Sequence, residues 1–145
     1  KMSVTQHLVH DSKDARIIHD KVTGKIGSYE HKDEDFFFCL MDDGRYVGYS
    51  IALPHAQGRY LLSELGIQDK YRQPSRIANL LGYMLFELQD AGIQELLVDM
   101  SLFEAGPDMD AFLASRKAVD FEGKKLLKTG TKKLRWRLFR RKSQA

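Results

Sequence analysis

Cysteine, proline and tryptophan are scarce in this chain of 145 residues. It has one cysteine, three prolines and one tryptophan. A single thiol has no partner within the chain, which excludes an intrachain disulfide and agrees with a reducing, cytoplasmic location. Cys39 lies inside the apolar run 36–41, so we expect a buried and unreactive thiol.

Long apolar runs are missing as well. No run approaches the roughly 18 residues that a helix needs to cross a bilayer, and the polar first residues do not resemble a signal peptide. The chain begins with Lys1 and not Met, which is typical of a tag remnant or a piece of a longer protein. Its length suits a single domain, 1–145, with one sizeable core and no membrane span.

Acidic residues are absent from the last 23 residues, which hold ten Lys or Arg. The residues before them include twenty acidic and thirteen basic side chains. A basic end of this kind can bind nucleic acid, anionic lipid or an acidic partner. It is also typical of a solvated strand edge, and both interpretations stay open for the tail 132–145.

Two frequent catalytic signatures are absent from the sequence. The histidines have neither HExxH nor paired metal spacing, so we expect no metal site. No Gly-x-Ser-x-Gly nucleophile motif occurs either. Metal-assisted hydrolysis and serine-nucleophile chemistry are therefore not indicated.

The stretch 60–88 organises the chain as a strand, a short basic turn and an amphipathic helix. Apolar residues recur there at steps of three and four: Ile77, Leu80, Leu81, Met84, Leu85 and Leu88. Pro74 and Ser75 predict the helix start, with Ser75 as its cap. Arg72 and Arg76 flank this start, where free N–H groups and the helix dipole favour an anion.

The other patterns predict short elements around this stretch. Asp-Gly at Asp43-Gly44, between two apolar runs, indicates a hairpin. In chain order we expect a strand 4–9, a helix 11–23, the hairpin 36–53, a turn 54–59, a strand 95–100, a helix 107–119 and a terminal strand pair, 124–127 with 132–139.

This order resembles the GNAT N-acetyltransferase superfamily along nearly the whole chain. The closest resemblance is to that family's acyl-CoA-binding segment, with an apolar-x-apolar triplet at Leu65-Gly66-Ile67, the pair Tyr71-Arg72 and a helix continuing through Leu80-Leu81. It implies an α/β fold with a mixed, mostly antiparallel sheet flanked by helices. It also implies acetyl-CoA or another acyl-CoA as cofactor.

The resemblance assigns the cofactor residues. Backbone groups of the triplet would bind the pantetheine arm, and the turn would bind the pyrophosphate. The family's two turn glycines fall on Ser75 and Ile77, or on Arg76 and Ala78 if counted from Gln73. The implied cofactor residues are Leu65, Gly66, Ile67, Arg72, Gln73, Ser75, Arg76, Ile77 and Ala78.

Catalytic groups follow from the same resemblance. Glu64 lies just before the triplet, where the family commonly has a base, although it could instead point to solvent on the other strand face. The family's acidic Tyr falls on Arg116, which cannot donate a proton at neutral pH. The thiolate would then leave with the help of water, or no acetyl transfer would occur.

Two functions follow from these observations. The first is an acyl-CoA-dependent N-acetyltransferase that acts by direct transfer on an amine of a small molecule or protein. The alternative is a GNAT-like domain without catalysis, which works as a binding or regulatory module. Terminal strands in this architecture often pair between subunits, so a homodimer is also open.

Overall fold

A computed structural model describes residues 4–130. They form a seven-stranded sheet with three helices, which confirms the predicted α/β class and mostly antiparallel sheet. The elements are β1 (Val4–Val9), α1 (Ser12–Thr23), β2 (Phe36–Asp42), β3 (Arg45–Ala56), β4 (Arg59–Ile67), α2 (Pro74–Asp90), β5 (Glu95–Val98), α3 (Pro107–Ser115), β6 (Val119–Phe121) and β7 (Lys124–Lys128). Short 3-10 turns, Asp69–Tyr71 and Met100–Leu102, follow β4 and β5.

The sheet has the strand order β1-β2-β3-β4-β5-β7-β6. β4 and β5 form the parallel pair, and the other neighbours are antiparallel. A parallel pair needs a crossover connection, and α2 supplies it. The predicted strand-turn-helix stretch therefore lies at the centre of the fold.

Each face of the sheet buries its own apolar core. Successive side chains of β2 alternate between the faces. Phe38 and Leu40 join the core beneath α2, whereas Phe37 and Cys39 join the core beneath α1. Burial raises the pKa of the Cys39 thiol to about 11, as expected for an unreactive cysteine.

The predicted hairpin between β2 and β3 is confirmed, with its turn at Asp43-Gly44. Both residues have positive φ, 50° and 79°, as a two-residue turn of the type I′ family requires. The predicted turn 54–59 was wrong, because β3 continues to Ala56 and only two residues separate it from β4. Pro54 is tolerated in β3 because β2 pairing ends at Ala52, so its missing N–H interrupts no bond on that side.

Three other predicted boundaries differ from the structure. The helix expected over 107–119 ends at Ser115, and Val119 instead begins β6, a strand too short to recognise from its pattern. The strand expected over 95–100 ends at Val98. There Asp99 accepts a hydrogen bond from the Ser101 amide (2.9 Å) and starts a 3-10 turn. The predicted strand 132–139 and the basic tail lie outside the described residues.

An irregularity in β4 determines which side chains face each core. Ile51 of β3 pairs with Glu64, but the next residue, Ala52, pairs with Leu62. Ser63 is thus an extra residue in β4, a β-bulge that reverses the alternation of side chains. Without it, Glu64 would share the α2 face with Leu62; with it, Glu64 faces α1.

Candidate functional site

A gap opens between β4 and β5 on one side of the sheet. The two strands pair from Arg59–Glu95 to Leu62–Val98, where β5 ends. The remaining part of β4, residues 63–67, pairs with β3 along its other edge. At about 3.3 Å per residue this leaves roughly 16 Å of strand edge, along the predicted triplet Leu65 to Ile67, to which an extended ligand can hydrogen-bond.

The N-terminus of α2 lies at the end of this edge. Gln73 is the N-cap residue and Pro74 is the first helical residue, so the predicted Ser75 cap was wrong. Proline is well suited to that position because its φ is preset and it has no N–H to satisfy. The amides of Ser75 and Arg76 stand in the first turn, where no earlier turn supplies acceptors.

The predicted turn residues divide into two groups. Ile77 and Ala78 are buried in the core beneath α2, so their side chains do not face an anion at the helix start. Gln73 and Ser75 are exposed and Arg76 is half-buried. Only Ser75 and Arg76 therefore present side chains at positions where the family resemblance expects glycine.

Both arginines of the turn have partners in this structure. Arg72 Nε donates to Glu104 Oε1 (2.8 Å), and its Nη2 donates to the Leu102 carbonyl (2.5 Å). Arg76 Nη1 donates to the Tyr71 carbonyl (3.2 Å), and its guanidinium lies 5.6 Å from the centre of the Tyr71 ring. Arg72 thus joins the turn to the segment after β5, while Arg76 stays beside the helix start.

Glu64 stands at the beginning of the gap and is held by two donors. His19 Nε2 lies 2.9 Å from Glu64 Oε1, and Tyr49 OH donates to the same oxygen at 2.6 Å. Ser28 Oγ lies 3.2 Å from the other ring nitrogen, His19 Nδ1. The Glu64 side chain is 45% exposed, whereas the His19 side chain is 3% exposed. One end of the carboxylate is therefore anchored while the residue stays accessible.

Two tyrosines beside Glu64 remain protonated. Burial, the hydrogen bond to Glu64 and the charge of that carboxylate all raise the pKa of Tyr49. Burial and the nearby carboxylates of Asp35 and Glu64 raise the pKa of Tyr29. Tyr49 is thus a neutral hydrogen-bond donor to Glu64 at pH 7.

A cavity of about 570 Å³ opens on the α1 side of the sheet, next to this cluster. Tyr29 lines it, and the Tyr29 ring lies 5.3 Å from the His19 ring. Leu53 and Pro54 of β3 form an apolar wall. The remaining lining residues are mostly acidic and come from the segment between α1 and β2: Glu30, Lys32, Asp33, Glu34 and Asp35.

Arg116, at the sequence position of the family's acidic Tyr, caps the C-terminus of α3. Its guanidinium lies 5.6 Å from the centre of the Phe112 ring. Burial lowers the pKa of Arg116, but a guanidinium remains charged in proteins. Arg116 supplies charge and packing here, and no proton.

The sequence indicated Glu64 but missed the residues that hold it. Tyr49 follows Gly48 in the strand after the hairpin, and its pairing with Gly66 could be found only once the bulge was known. His19 is 45 residues away from Glu64 and sits in an ordinary helix pattern. No spacing signal connects these residues, because the sheet and α1 bring them together.

Within residues 4–130 we find no helix that is long and apolar enough to cross a membrane. In the same range, no three His, Cys, Asp or Glu side chains are grouped so that they could hold a metal ion.

Comparison with known proteins reveals the fold family. Neither a protein-family model nor a curated protein sequence matches the chain. Among solved structures, the ribosomal-protein-S18-alanine N-acetyltransferase from Escherichia coli matches with a TM-score of 0.57 at 12% identity, over 89% of this chain and 96% of that one. A GNAT-family acetyltransferase from Staphylococcus aureus matches with a TM-score of 0.53 at 9% identity, over 88% and 100% of the two chains.

A third match carries a ligand. The E. coli protein YhhK, solved with coenzyme A bound, has a TM-score of 0.56 at 15% identity, over 88% of this chain and 98% of that one. The chain therefore has the GNAT acetyltransferase fold, as the sequence resemblance predicted.

Proposed function

We propose that this protein is an acyl-CoA-dependent N-acetyltransferase that transfers an acetyl group directly to an amine. The observation that carries this proposal is the open edge of β4, which leads from Glu64 at one end to the N-terminus of α2 at the other. An extended arm can pair with such an edge, and an anion can bind at the helix start. The coenzyme A bound to YhhK, a protein of the same fold, supports this choice of ligand.

In this mechanism Glu64 is the general base. The amine passes a proton to the carboxylate, its nitrogen forms a bond to the thioester carbon, and the carbon–sulfur bond breaks. The departing thiolate takes its proton from water, because Arg116 cannot supply one. The cavity lined by Tyr29 is a place for the acceptor, because its carboxylates attract a cationic amine.

A binding domain without catalysis is the second candidate, and two observations favour it. Arg116 stands where the fold's enzymes commonly have an acid, and Arg72 is engaged by Glu104 and Leu102. Such a domain would bind acyl-CoA or a partner without transferring the acetyl group. Activity therefore separates the two candidates, and cofactor binding alone does not.

Calorimetric titration with coenzyme A tests the cofactor site. We expect micromolar binding by the native chain and a loss of at least ten-fold in Arg76→Glu, because the substitution places a carboxylate beside the pyrophosphate. The matched control is Arg16→Glu, an equal change of charge on an exposed position of α1. Absence of binding at millimolar coenzyme A would contradict the proposed function.

Glu64→Gln tests the base. The amide keeps the shape and can still accept the Tyr49 hydrogen bond, but it cannot take a proton. We expect kcat to fall by roughly 10² to 10⁴, with coenzyme A affinity unchanged. Acetyl transfer would be followed with acetyl-CoA and a panel of primary amines that includes lysine, spermidine and lysine peptides. An active Glu64→Gln protein would exclude Glu64 as the base.

A further inference from the structure

We infer that His19 is a positioning residue for Glu64, which holds one carboxylate oxygen so that the other receives the proton of the amine. This inference rests on the proposed function, and it concerns a residue that the resemblance does not indicate. It begins with the hydrogen bonds of the imidazole.

Both nitrogens of the His19 ring have partners. Nε2 lies 2.9 Å from Glu64 Oε1, and Nδ1 lies 3.2 Å from Ser28 Oγ. A neutral imidazole satisfies both contacts in one arrangement: the Ser28 hydroxyl donates to Nδ1, and Nε2–H donates to the carboxylate. The serine thereby selects the tautomer that presents a donor to Glu64.

The imidazole is also held in place by its neighbours. The residue is 2% exposed, and the Tyr49 and Tyr29 rings pack against it at centroid distances of 4.6 and 5.3 Å. A side chain enclosed in this way cannot change rotamer without disturbing the core beneath α1. Its N–H therefore points at Glu64 in a fixed direction.

Glu64 itself has no structural need of such an anchor. With 45% of its side chain exposed, the carboxylate could be solvated by water and could rotate freely. Instead, two nearly buried side chains, His19 and Tyr49, both bind the same oxygen, Oε1. These two bonds occupy Oε1 and fix the carboxyl plane, so Oε2 becomes the oxygen that is free to accept a proton.

Three ring-bearing side chains surround the anchored end of the carboxylate. The titratable groups facing Glu64 are His19 from α1, Tyr49 from β3 and Tyr29 from the segment after α1. Both tyrosines stay neutral because their pKa values are raised, so Tyr49 offers Glu64 a hydroxyl donor and no charge.

Two amides substituted for His19 form a matched pair of variants. The amide nitrogen of Gln reaches the place of Nε2 and can still donate to Glu64, whereas that of Asn reaches only the place of Nδ1. We expect His19→Asn to lower kcat by about ten-fold or more, as a misplaced catalytic group does, with the KM for acetyl-CoA unchanged. His19→Gln should recover much of this loss, because its amide again donates to Glu64 Oε1.

Tyr49→Phe provides a second test that leaves His19 intact. It removes the other donor to Oε1 while keeping the ring in the core, so it should also lower kcat. This variant also serves if His19→Asn fails to fold. Equal kcat in His19→Asn and His19→Gln would overturn the inference, as would losses that follow thermal stability alone.

An NMR measurement separates this inference from the proposed function. The ¹³C chemical shift of the Glu64 carboxyl, measured at pH 7 in the protein without cofactor, should change in His19→Asn and stay near the native value in His19→Gln, because only Gln keeps a donor to Oε1. Activity missing from the native chain removes the proposed function, and with it any catalytic role for His19. Identical carboxyl chemical shifts in all three proteins overturn the anchoring itself, whether or not the chain is an enzyme.

Discussion

Gly66 approaches the Tyr49 ring more closely than any larger residue could. A Cβ at this position would lie 2.3 Å from Tyr49 Cε1 and 2.9 Å from its hydroxyl oxygen. The ring cannot move aside, because it is buried and stacks on Phe37 at a centroid distance of 5.7 Å. The glycine in the middle of the triplet thus has a structural reason that is independent of any cofactor.

Gly66→Ala should therefore lower the free energy of unfolding by about 1 to 3 kcal/mol and disturb the bond between Tyr49 and Glu64. Urea denaturation measures the first effect. The control is Gly82→Ala in α2, whose new Cβ would lie an ordinary 3.7 Å from Phe112. This substitution should stabilise the protein by up to about 1 kcal/mol, because alanine has the higher helix propensity. Equal effects of the two substitutions would contradict this explanation.

Among the strands, β4, β5 and β7 are joined by one carboxylate. Glu95 of β5 binds Arg59 Nε (3.1 Å) through Oε1 and Lys128 Nζ (2.8 Å) through Oε2. The Glu95 side chain is only 18% exposed. The bond to Lys128 and the bond to Arg59 hold the pKa of Glu95 below its usual value.

Because the pKa of Glu95 is lowered in the folded chain, its ion pairs stabilise the protein fully at any pH above the ordinary carboxyl pKa. This stabilisation is lost as the pH falls through the pKa of Glu95 in the folded chain. Glu95→Gln should cost about 1 to 2 kcal/mol at pH 7. The difference from the native chain should shrink as the pH falls below 4.5, the ordinary pKa of a glutamate carboxyl. Thermal unfolding between pH 3 and 7 measures this difference in stability, and Glu30→Gln at an exposed position is the control. A difference that does not depend on pH would show that the substitution removes packing alone.

The helices and strands also show which features of a fold can be predicted from a sequence pattern. The apolar stripe of α2 and the Asp43-Gly44 pair were sufficient to predict the helix and the hairpin turn, because periodicity and positive φ are local properties. The face of Glu64 was not predictable, since it depends on the bulge at Ser63, and a bulge is defined by the pairing of two strands. The same limit explains why His19 was missed: its role exists only after α1 packs on the sheet.

On the scale of the whole molecule, the gap between β4 and β5 interrupts an otherwise continuous sheet. A ligand that pairs with β4 and contacts the start of α2 can bind only after the chain has folded, so binding should stabilise the entire fold. Coenzyme A at a hundred times its Kd should add about 2.7 kcal/mol and raise Tm by roughly 5 to 11 °C. Pantetheine, which lacks the pyrophosphate, should give a smaller shift in the same scan; equal shifts would show that the helix start does not bind the pyrophosphate.

The carboxylate of Glu104, which forms an ion pair with Arg72, competes with a phosphate ligand for the Arg72 guanidinium. Any phosphate that recruits Arg72 must first displace a tethered carboxylate, so a measured affinity understates the intrinsic one by the fraction of molecules in which the guanidinium is free. Glu104 is 52% exposed, and exposed pairs contribute at most about 1 kcal/mol. The ion pair therefore lowers the apparent affinity for such a phosphate by at most a factor of roughly five. A tightly binding ligand overcomes this reduction, whereas weak anions are disfavoured.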